Sequence, residues 1–246
     1  MNTRTKVALI TGASRGIGRE TARLFASQGY ALFLVCHKKR RQLDELLAAL
    51  SDEYSIPCRG YCEDLGCEAS VNRIFAEIRE QYGRLDVLIN NAGISHIGLL
   101  QDMTLEQWDT MLRTDLTSVF LTCRAAIPLM LPQKSGSIVN VSSVWGNVGA
   151  SCEAAYSAAK SGVNGLTRAL AKELAPSGIR VNAAAFGAIE TSMNEFLAPE
   201  EKESLTEEIP AGRFGTPREA AALLYDLAVH HPYLTGQVIT MDGGWI

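Results

Sequence analysis

Short apolar runs recur along the whole chain and are separated by amphipathic or polar stretches. Strands inside a parallel sheet are covered on both faces, so they appear as continuous apolar runs and not as an alternating pattern. Such runs predict strands at Val7–Ile10, Leu32–Cys36, Val87–Ile89, Ile138–Val141, Ile179–Ala185 and Gln237–Met241. A further strand is predicted near Ile56–Tyr61, although Pro57 inside it lacks a backbone donor.

The stretches between these runs have the spacing of amphipathic helices. Arg19–Gln28 and Ala69–Tyr82 repeat apolar residues at helical intervals, and a last helix is expected at Pro217–Val229. Alternation of strand and helix predicts an α/β fold, a doubly wound parallel sheet in three layers with right-handed crossovers. Because the sequence shows no repeat, low-complexity run or linker, we expect residues 1–246 to form a single domain.

One segment departs from this alternation. Residues 191–208 are polar and acidic, carry scattered large apolar side chains, and lie between a strand end and the last helix. A polar segment of this length in a compact domain is typical of a mobile lid over a site, which we place at about 187–212. A plain pair of surface helices is the alternative.

Length, composition and charge exclude several classes of protein. The chain has 246 residues, of which 47% are hydrophobic and 20% charged, and this fits a globular domain. Its 23 basic and 27 acidic side chains leave a net charge of −4, which argues against a nucleic-acid partner. No apolar run approaches the ~20 residues that span a bilayer, and no signal-peptide pattern is present. We therefore expect a cytoplasmic protein with no membrane partner.

Six cysteines raise the question of a metal site. Cys58, Cys62 and Cys67 lie within one ten-residue stretch. Zinc sites usually need a second pair of ligands, and no histidine lies near this stretch. We expect no metal, and we interpret the cysteines as the reduced thiols of a cytosolic protein.

The first predicted strand runs directly into Thr11-Gly12-Ala13-Ser14-Arg15-Gly16-Ile17-Gly18 and then into a helix. Glycines in such a turn permit a positive φ and let the backbone approach a pyrophosphate closely. The helix N-terminus adds free N–H groups and positive potential. This glycine turn therefore predicts a dinucleotide site, with a tight packing turn as the alternative.

The glycine order T-G-x-x-x-G-x-G, together with later motifs, resembles that of the single-domain short-chain dehydrogenase/reductase family. The later motifs are Asp64-Leu65, Asn90-Asn91-Ala92-Gly93, Val141-Ser142-Ser143-Val144-Trp145-Gly146, Tyr156-x-x-x-Lys160, Thr235-Gly236-Gln237 and Asp242-Gly243-Gly244. They occur in the family's order and cover essentially the whole chain. The resemblance implies a Rossmann-type fold and an NAD(P)-dependent oxidoreductase.

Basic residues follow the second predicted strand, where an NAD site usually carries an acid for the ribose hydroxyls. His37 and Lys38, together with Arg15, would instead attract a 2′-phosphate, so we favour NADP(H) over NAD(H). We interpret residues 39–41 as a solvated helix start. The resemblance also implies cofactor contacts at Gly12, Ser14, Gly16, Ile17, Gly18, Asp64, Leu65, Asn91, Ala92, Gly93, Tyr156, Lys160, Gly187, Ile189 and Thr191.

Tyr156 and Lys160 are four residues apart, so on a helix their side chains share one face. A free phenol has a pKa near ~10 and is a poor acid at neutral pH. A nearby ammonium, or the positive ring of an oxidised nicotinamide, lowers that pKa. The resemblance implies that Tyr156 exchanges a proton with a carbonyl oxygen, that Ser143 donates to the same oxygen, and that Lys160 also holds the nicotinamide ribose.

Two positions depart from the family pattern. Asp115 stands where the family has an asparagine that supports a proton relay, and its charge could pair with Lys160. We retain Asp115 as a fourth candidate catalytic residue. Phe186 stands where the family has a proline, and we expect it to change the pocket wall beside the nicotinamide without removing any chemistry.

Within the family, the motifs are most similar to 3-oxoacyl-[acyl-carrier-protein] reductases of fatty acid synthesis. This similarity implies NADPH-dependent reduction of a 3-oxoacyl thioester, with the acidic acyl carrier protein as a candidate partner that would meet basic residues around the cleft. Lys134 occupies one such position, whereas Ser177 replaces a basic residue at another. A sugar, steroid or other small alcohol or ketone stays open as substrate. An inactive cofactor-binding sensor also stays open, and it is favoured only by Asp115.

Candidate substrate residues are Ser95, His96, Trp145, Asn147, Phe186, Met193 and Phe196. They mix polar and apolar groups without a charged clamp, so the sequence does not select the substrate. The resemblance further implies a homotetramer or homodimer built on long helices near Leu116–Leu131 and Ala154–Leu174.

Overall fold

The structure is a computed structural model that describes residues 5–195 and 197–246. Within those residues, seven strands form one parallel sheet in the order β3-β2-β1-β4-β5-β6-β7. The strands are β1 (Val7–Thr11), β2 (Ala31–Cys36), β3 (Cys58–Cys62), β4 (Val87–Asn90), β5 (Gly136–Ser143), β6 (Ile179–Phe186) and β7 (Val238–Met241). The predicted doubly wound α/β fold is confirmed.

Helices cover both faces of this sheet. They are α1 (Gly16–Ser27), α2 (Arg40–Tyr54), α3 (Glu68–Tyr82), α4 (Leu105–Leu112), α5 (Ser118–Met130), α6 (Trp145–Val148), α7 (Ala154–Leu174), α8 (Pro199–Glu208) and α9 (Pro217–Val229). A π-helical turn, Arg113–Thr117, joins α4 to α5 without a break. Such turns occur frequently at functional sites.

The sheet buries a separate apolar core on each face, because successive side chains of a strand point to opposite sides. Val7 and Leu9 of β1 lie in the core formed with α3, α5 and α7. Ala8 and Ile10 lie in the opposite core, formed with α1, α2 and α9. Burial on both faces explains why the central strands are continuous apolar runs in the sequence.

The strand predicted around Pro57 begins just after the proline. β3 lies at the edge of the sheet, and Pro57 precedes it. The Pro57 carbonyl accepts a hydrogen bond from the Leu32 N–H at 2.9 Å. The proline therefore lies at a position where its missing N–H removes no bond from the strand ladder.

The polar segment predicted as a lid contains α8 and a short 3₁₀ turn, Ser192–Asn194. None of the α8 residues, all of which the structure describes, is buried. Lys202 of α8 pairs with Glu190 at 3.0 Å. The segment is thus a surface helix tied back to the chain that follows β6, and its movement as a lid stays a prediction.

The continuous helical segment Leu105–Gln133 is long and apolar enough to span a bilayer by composition alone. Half of its most apolar window is buried inside the fold. Val119, Leu121 and Ala126 within it belong to the core formed with α3 and α7. The sequence contains no uninterrupted apolar run of spanning length, yet this helical segment is apolar on average. Its burial in the core explains that apolar composition.

The strand order reverses between β1 and β4, and parallel sheets open a crevice outside the carboxyl ends of the strands at such a point. There the Asn91 amide donates to the carbonyls of Thr11 and Gly12 at 3.0 and 3.2 Å. The Thr11 hydroxyl accepts from the N–H groups of Asn91 and Ala92, both at 2.9 Å. The glycine turn and the end of β4 are therefore one hydrogen-bonded unit.

Gly18 is a crowded point of this unit. A Cβ added to it would lie 2.3 Å from the Gly12 carbonyl oxygen and 2.6 Å from the Asn91 amide nitrogen. We expect Gly18→Ala to lower the free energy of unfolding by about 1–3 kcal/mol, because the backbone must shift to relieve the clash. Urea denaturation of both proteins measures the difference.

The matched control is Gly165→Ala on α7, where an added Cβ would meet no described atom within 4 Å. This variant should gain roughly 0.5–1 kcal/mol, because alanine favours a helix interior over glycine. Equal stability of the two variants would show that Gly18 is not sterically constrained.

Candidate active site

The glycine turn places the start of α1 at the mouth of the crevice. Gly12 and Gly16 have φ values of +66° and +54°, which side chains rarely adopt. Arg15 is the N-cap residue with an extended backbone, and within the described residues its side chain does not cap the helix. The first N–H groups of α1 are therefore available to an anion. A Cβ on Gly16 would lie 3.2 Å from Thr191 Cγ2, so the chain after β6 closes the other side.

A cavity of about 600 Å³ opens beside this turn. Its lining includes Gly16 of the turn, Gln42 of α2 and Thr191 of the chain after β6. The charged lining residues are Arg15, Lys39, Arg218, Glu20, Glu190 and Glu195. A glycine-rich turn, a helix N-terminus and the cations Arg15 and Lys39 on the side of the turn and α2 fit a dinucleotide that carries several phosphate charges, although three carboxylates also line the cavity.

The basic run after β2 divides into two parts. Arg40 and Arg41 pair with the acids four residues ahead, both at 2.9 Å, as expected for a solvated helix start. Lys39 is the exposed N-cap residue of α2, and it lines the cavity together with Arg15. Its interpretation as part of a solvated helix start stays a prediction. His37 and Lys38 are exposed beside Lys39.

Three side chains implied as cofactor contacts have other partners. The Asn91 amide donates its hydrogen bonds to the glycine turn. Leu65 is buried in the core formed with α3. One oxygen of Asp64 accepts from the Gly66 N–H at 2.8 Å. Contacts from Asn91 and Leu65 to a cofactor would therefore come from the backbone, and they stay predictions.

The three residues of the predicted catalytic set converge at the carboxyl edge of the sheet. Ser143 ends β5, while Tyr156 and Lys160 lie one turn apart near the start of α7. The Ser143 hydroxyl lies close enough to the Tyr156 phenol to lower its pKa, and it accepts from the Trp145 N–H at 3.2 Å. Lys160 Nζ lies 5.5 Å from the centre of the Tyr156 ring. The group can hold a carbonyl oxygen between a phenol and a hydroxyl.

Lys160 is a buried cation with two partners. Its ammonium donates to the Val141 carbonyl at 3.1 Å and lies 3.1 Å from Asp115 Oδ2. Burial by itself lowers the pKa of Lys160, but the Asp115 carboxylate and the Tyr156 phenol outweigh it, and the net direction is upward. Lys160 therefore stays an ammonium at neutral pH.

Asp115 lies in the π-helical turn and is fully buried. Its Oδ1 accepts from the Ile94 N–H at 2.8 Å, and a Cβ on Gly93 would lie 2.7 Å from its Oδ2. The loop after β4 thus closes over the carboxylate because Gly93 has no side chain. Burial raises the pKa of Asp115, and the Lys160 ammonium opposes that rise. The structure contains the ion pair that the sequence suggested.

The pKa of Tyr156 is raised, which is opposite to the sequence expectation. Burial is the largest cause, Lys160 lowers the pKa, and Asp115 raises it again. The expected effect of Lys160 is present, but removal of the phenol from water exceeds it.

Sequence reasoning missed two side chains beside this group. Glu153 is the N-cap residue of α7, and its charge raises the pKa of Tyr156. It precedes Tyr156 by three residues, a helical spacing that could have revealed it. Trp245 packs edge-on against Trp145 with ring centres 4.9 Å apart. No local pattern links those two tryptophans.

The candidate substrate residues differ in how deeply they are buried and in what they contact. Ser95 and His96 are half-buried in the loop after β4, which reaches the start of α7 through a hydrogen bond from Gly98 N–H to the Cys152 carbonyl at 2.8 Å. Asn147 is exposed, but its side chain bonds with Thr240 and Asn164 at 3.3 and 3.0 Å. Met193 is exposed, and Phe196 lies outside the described residues.

Phe186 is not a pocket wall, so that expectation is wrong. Its side chain is 4% exposed and packs in the core formed with α1, α2 and α9. Phe186 is in register with Ser143 at the ends of β6 and β5. Ala184, two residues earlier, lies in the same core, as the two-residue period of a strand requires.

Lys134 lies at the amino-terminal edge of the sheet, and its implied role toward a carrier protein stays a prediction. It precedes β5, whereas Ser143 ends that strand, and the separation is roughly 25–30 Å at the usual rise per residue. A Cβ on Gly178, which follows Ser177, would lie 2.4 Å from the Lys134 carbonyl, so both positions share the amino-terminal edge. Lys134 does not border the cleft of its own chain.

Comparison with known proteins agrees with this geometry. The short chain dehydrogenase family profile matches residues 6–202. An uncharacterized oxidoreductase of Bacillus subtilis is 39% identical over 241 residues, covering 98% of both chains. The 3-oxoacyl-[acyl-carrier-protein] reductases of Thermotoga maritima and Staphylococcus aureus are 41% and 42% identical over 244 and 245 residues, again covering 98% of each chain.

The ion pair generates a prediction about pH. Asp115→Asn removes a negative charge that raises the pKa of Tyr156, so that pKa should fall. We expect equal or higher kcat, and in the alcohol-oxidising direction the acidic limb of the kcat profile should move to lower pH. Measurement of kcat against pH for both proteins is the test.

The matched control is Asp109→Asn, an exposed carboxylate on α4, six residues before Asp115. Its pH profile should equal that of the unmodified protein. A large loss of activity in Asp115→Asn would mean that the carboxylate itself is required, and an unchanged profile would separate Asp115 from the titration of Tyr156.

Proposed function

The chain belongs to the short-chain dehydrogenase family of NAD(P)-dependent oxidoreductases, and from that membership we propose that it reduces a ketone with NADPH, the substrate being a 3-oxoacyl thioester. The observation that carries this proposal is the convergence of Ser143, Tyr156 and Lys160 beside the glycine turn. A phenol and a hydroxyl that lie beside each other can both reach one carbonyl oxygen.

Each residue of the group has its own task. Bound NADPH supplies the hydride for the carbonyl carbon. Tyr156 donates its proton to the carbonyl oxygen, and Ser143 donates a hydrogen bond to the same atom. The Lys160 ammonium stabilises the phenolate that is left behind. Val141 and Asp115 hold that ammonium in place at 3.1 Å each, so the charge is oriented before substrate binds.

Arg15 and Lys39 support NADPH over NADH. Both line the cavity beside the glycine turn, and residues 37–41 after β2 carry basic side chains where a carboxylate would favour a free ribose hydroxyl. A 2′-phosphate carries about two negative charges and would pair with both cations. Glu20 and Glu190 also line the cavity, and Lys202 partly neutralises Glu190 at 3.0 Å.

The thioester substrate is supported by the relatives named as 3-oxoacyl-[acyl-carrier-protein] reductases, which match over 98% of this chain. A second candidate is a ketone that no carrier protein delivers. The position of Lys134 favours it, because that basic residue does not border the cleft of its own chain.

A substrate panel separates the two candidates. The same 3-oxoacyl group is offered on acyl carrier protein, on a short thiol and as a simple ketone, and loss of NADPH absorbance is followed. We expect the highest kcat/KM with the carrier-bound thioester. Equal or higher kcat/KM with the short thioester or the simple ketone would support the second candidate, and no turnover of any member would leave a cofactor-binding sensor.

Tyr156→Phe tests the proton donor. The variant should bind NADPH normally and lose roughly 10²–10⁴-fold in kcat, because it retains the ring and lacks the acid. Tyr233→Phe, at a fully exposed tyrosine, is the matched control and should keep full activity. Near-normal kcat in Tyr156→Phe would remove this phenol from the mechanism.

Lys39→Glu tests the choice of cofactor. A carboxylate at this position repels a 2′-phosphate, so the KM for NADPH should rise while the KM for NADH stays equal or falls. Arg41→Glu is the control, because the Arg41 side chain is 92% exposed and pairs with Glu45 on α2. If both variants change the KM for NADPH equally, general surface charge is responsible and not a phosphate contact at Lys39.

A further inference from the structure

Cys36 and Cys62 end two neighbouring strands opposite each other. Cys36 closes β2, Cys62 closes β3, and the two residues are partners in the register of the parallel pair. Neighbouring strands lie about 4.8 Å apart, within the ~4.4–6.8 Å range of Cα separations found in disulfides. Both side chains lie on the same face of the sheet, in the core formed with α1 and α2.

The Cys62 thiol is bonded to the turn that follows β2. Cys62 Sγ donates to the His37 carbonyl at 3.1 Å. Cys36 is buried, which raises the pKa of its thiol to about 11, whereas Cys62 is half-exposed. An oxidant from solvent therefore reaches Cys62 first and finds Cys36 next to it.

This pair lies next to a turn that leads to the cavity beside the glycine turn. Residues 37–39 follow Cys36 directly, and Lys39 at the end of that turn lines the cavity. The bond from Cys62 to the His37 carbonyl ties the turn to β3. The Cys62 sulfur therefore contacts the same turn that carries Lys39.

We propose that Cys36 and Cys62 form a reversible disulfide in the presence of hydroperoxide, and that this oxidation weakens the binding of the nucleotide. The disulfide stands on the geometry of the pair, while its coupling to the nucleotide rests on the proposed function.

The chemistry takes two steps. The Cys62 thiolate attacks one oxygen of hydrogen peroxide, so an S–O bond forms, the O–O bond breaks, and hydroxide leaves as water after taking up a proton. The Cys36 thiol then loses its proton and attacks the Cys62 sulfur, which forms the S–S bond, breaks the S–O bond and releases a second water. The two sulfurs lose two electrons and the peroxide gains them. A dithiol reductant reverses the reaction.

Oxidation removes the hydrogen that Cys62 shares with the His37 carbonyl. The turn at 37–39 then loses its tie to β3 while the new S–S bond draws the strand ends together. The Lys39 side chain is displaced from the cavity as a result, and the 2′-phosphate loses one cation. Coupling between two sites is reciprocal, so bound NADPH should also slow disulfide formation.

Peptide mapping and nucleotide binding test the proposal together. The reduced protein is treated with hydrogen peroxide, free thiols are alkylated, and the digest is analysed by mass spectrometry. We expect a peptide pair joined through Cys36 and Cys62 that disappears after treatment with dithiothreitol. The Kd for NADPH, measured by fluorescence titration, should rise several-fold on oxidation and recover on reduction.

Cys62→Ser and Cys36→Ala should form no such link, and peroxide should leave their Kd for NADPH unchanged. Cys58→Ser is the matched control, since Cys58 is a half-buried thiol on β3 whose partner in register is Leu32, away from Cys36. This variant should behave like the unmodified protein in both measurements.

Two results would overturn the proposal. One is a mapped product without the Cys36–Cys62 link, such as Cys62 oxidised to a sulfinic acid or joined to Cys58. The other is a protein with the link formed and an unchanged Kd for NADPH. If the reduced protein bound neither NADPH nor NADH, the proposed function would be refuted. The peptide map would still show whether Cys36 and Cys62 form a disulfide.

Discussion

The burial of one ammonium group organises the centre of this protein. Lys160 is 4% exposed, and a buried cation without partners would lose its proton or unfold the region around it. Val141 and Asp115 provide those partners, each 3.1 Å away. Their positions follow from three local features, which are the end of β5, the π-helical turn and the absence of a side chain at Gly93.

The same charge pair sets the chemistry of Tyr156. Lys160 favours the phenolate, whereas burial, Asp115 and Glu153 favour the phenol. The phenol therefore keeps its proton at neutral pH. The Asp115 carboxylate is one of the groups that set the pKa of Tyr156. Replacing it by an amide removes one charge that favours the phenol and leaves the geometry of the side chain nearly unchanged.

Close approach of backbone segments links the catalytic group to the nucleotide site. The glycine turn, the end of β4 and the chain after β6 meet where Gly16, Gly18 and Gly93 have no side chains. Asn91 and Thr11 bind the first two of these segments together. The cavity beside the glycine turn and the Tyr156 phenol therefore lie along the same carboxyl edge of the sheet, and none of the α8 residues is buried.

The sequence alone determined the sheet, the glycine turn and the catalytic spacing, because each depends on residues close together in the chain. Continuous apolar runs mark strands covered on both faces, and Tyr156 and Lys160 share a helix face by their spacing alone. Even the ion pair could be anticipated, since the family motifs placed Asp115 near Lys160.

Tertiary structure decided what depends on contacts between distant segments. Phe186 turned into the core, Lys134 lay at the far edge of the sheet, and Lys39 faced the cavity. The direction of the Tyr156 pKa and the pairing of Cys36 with Cys62 also required it, because burial and register arise only when separate strands and helices pack together.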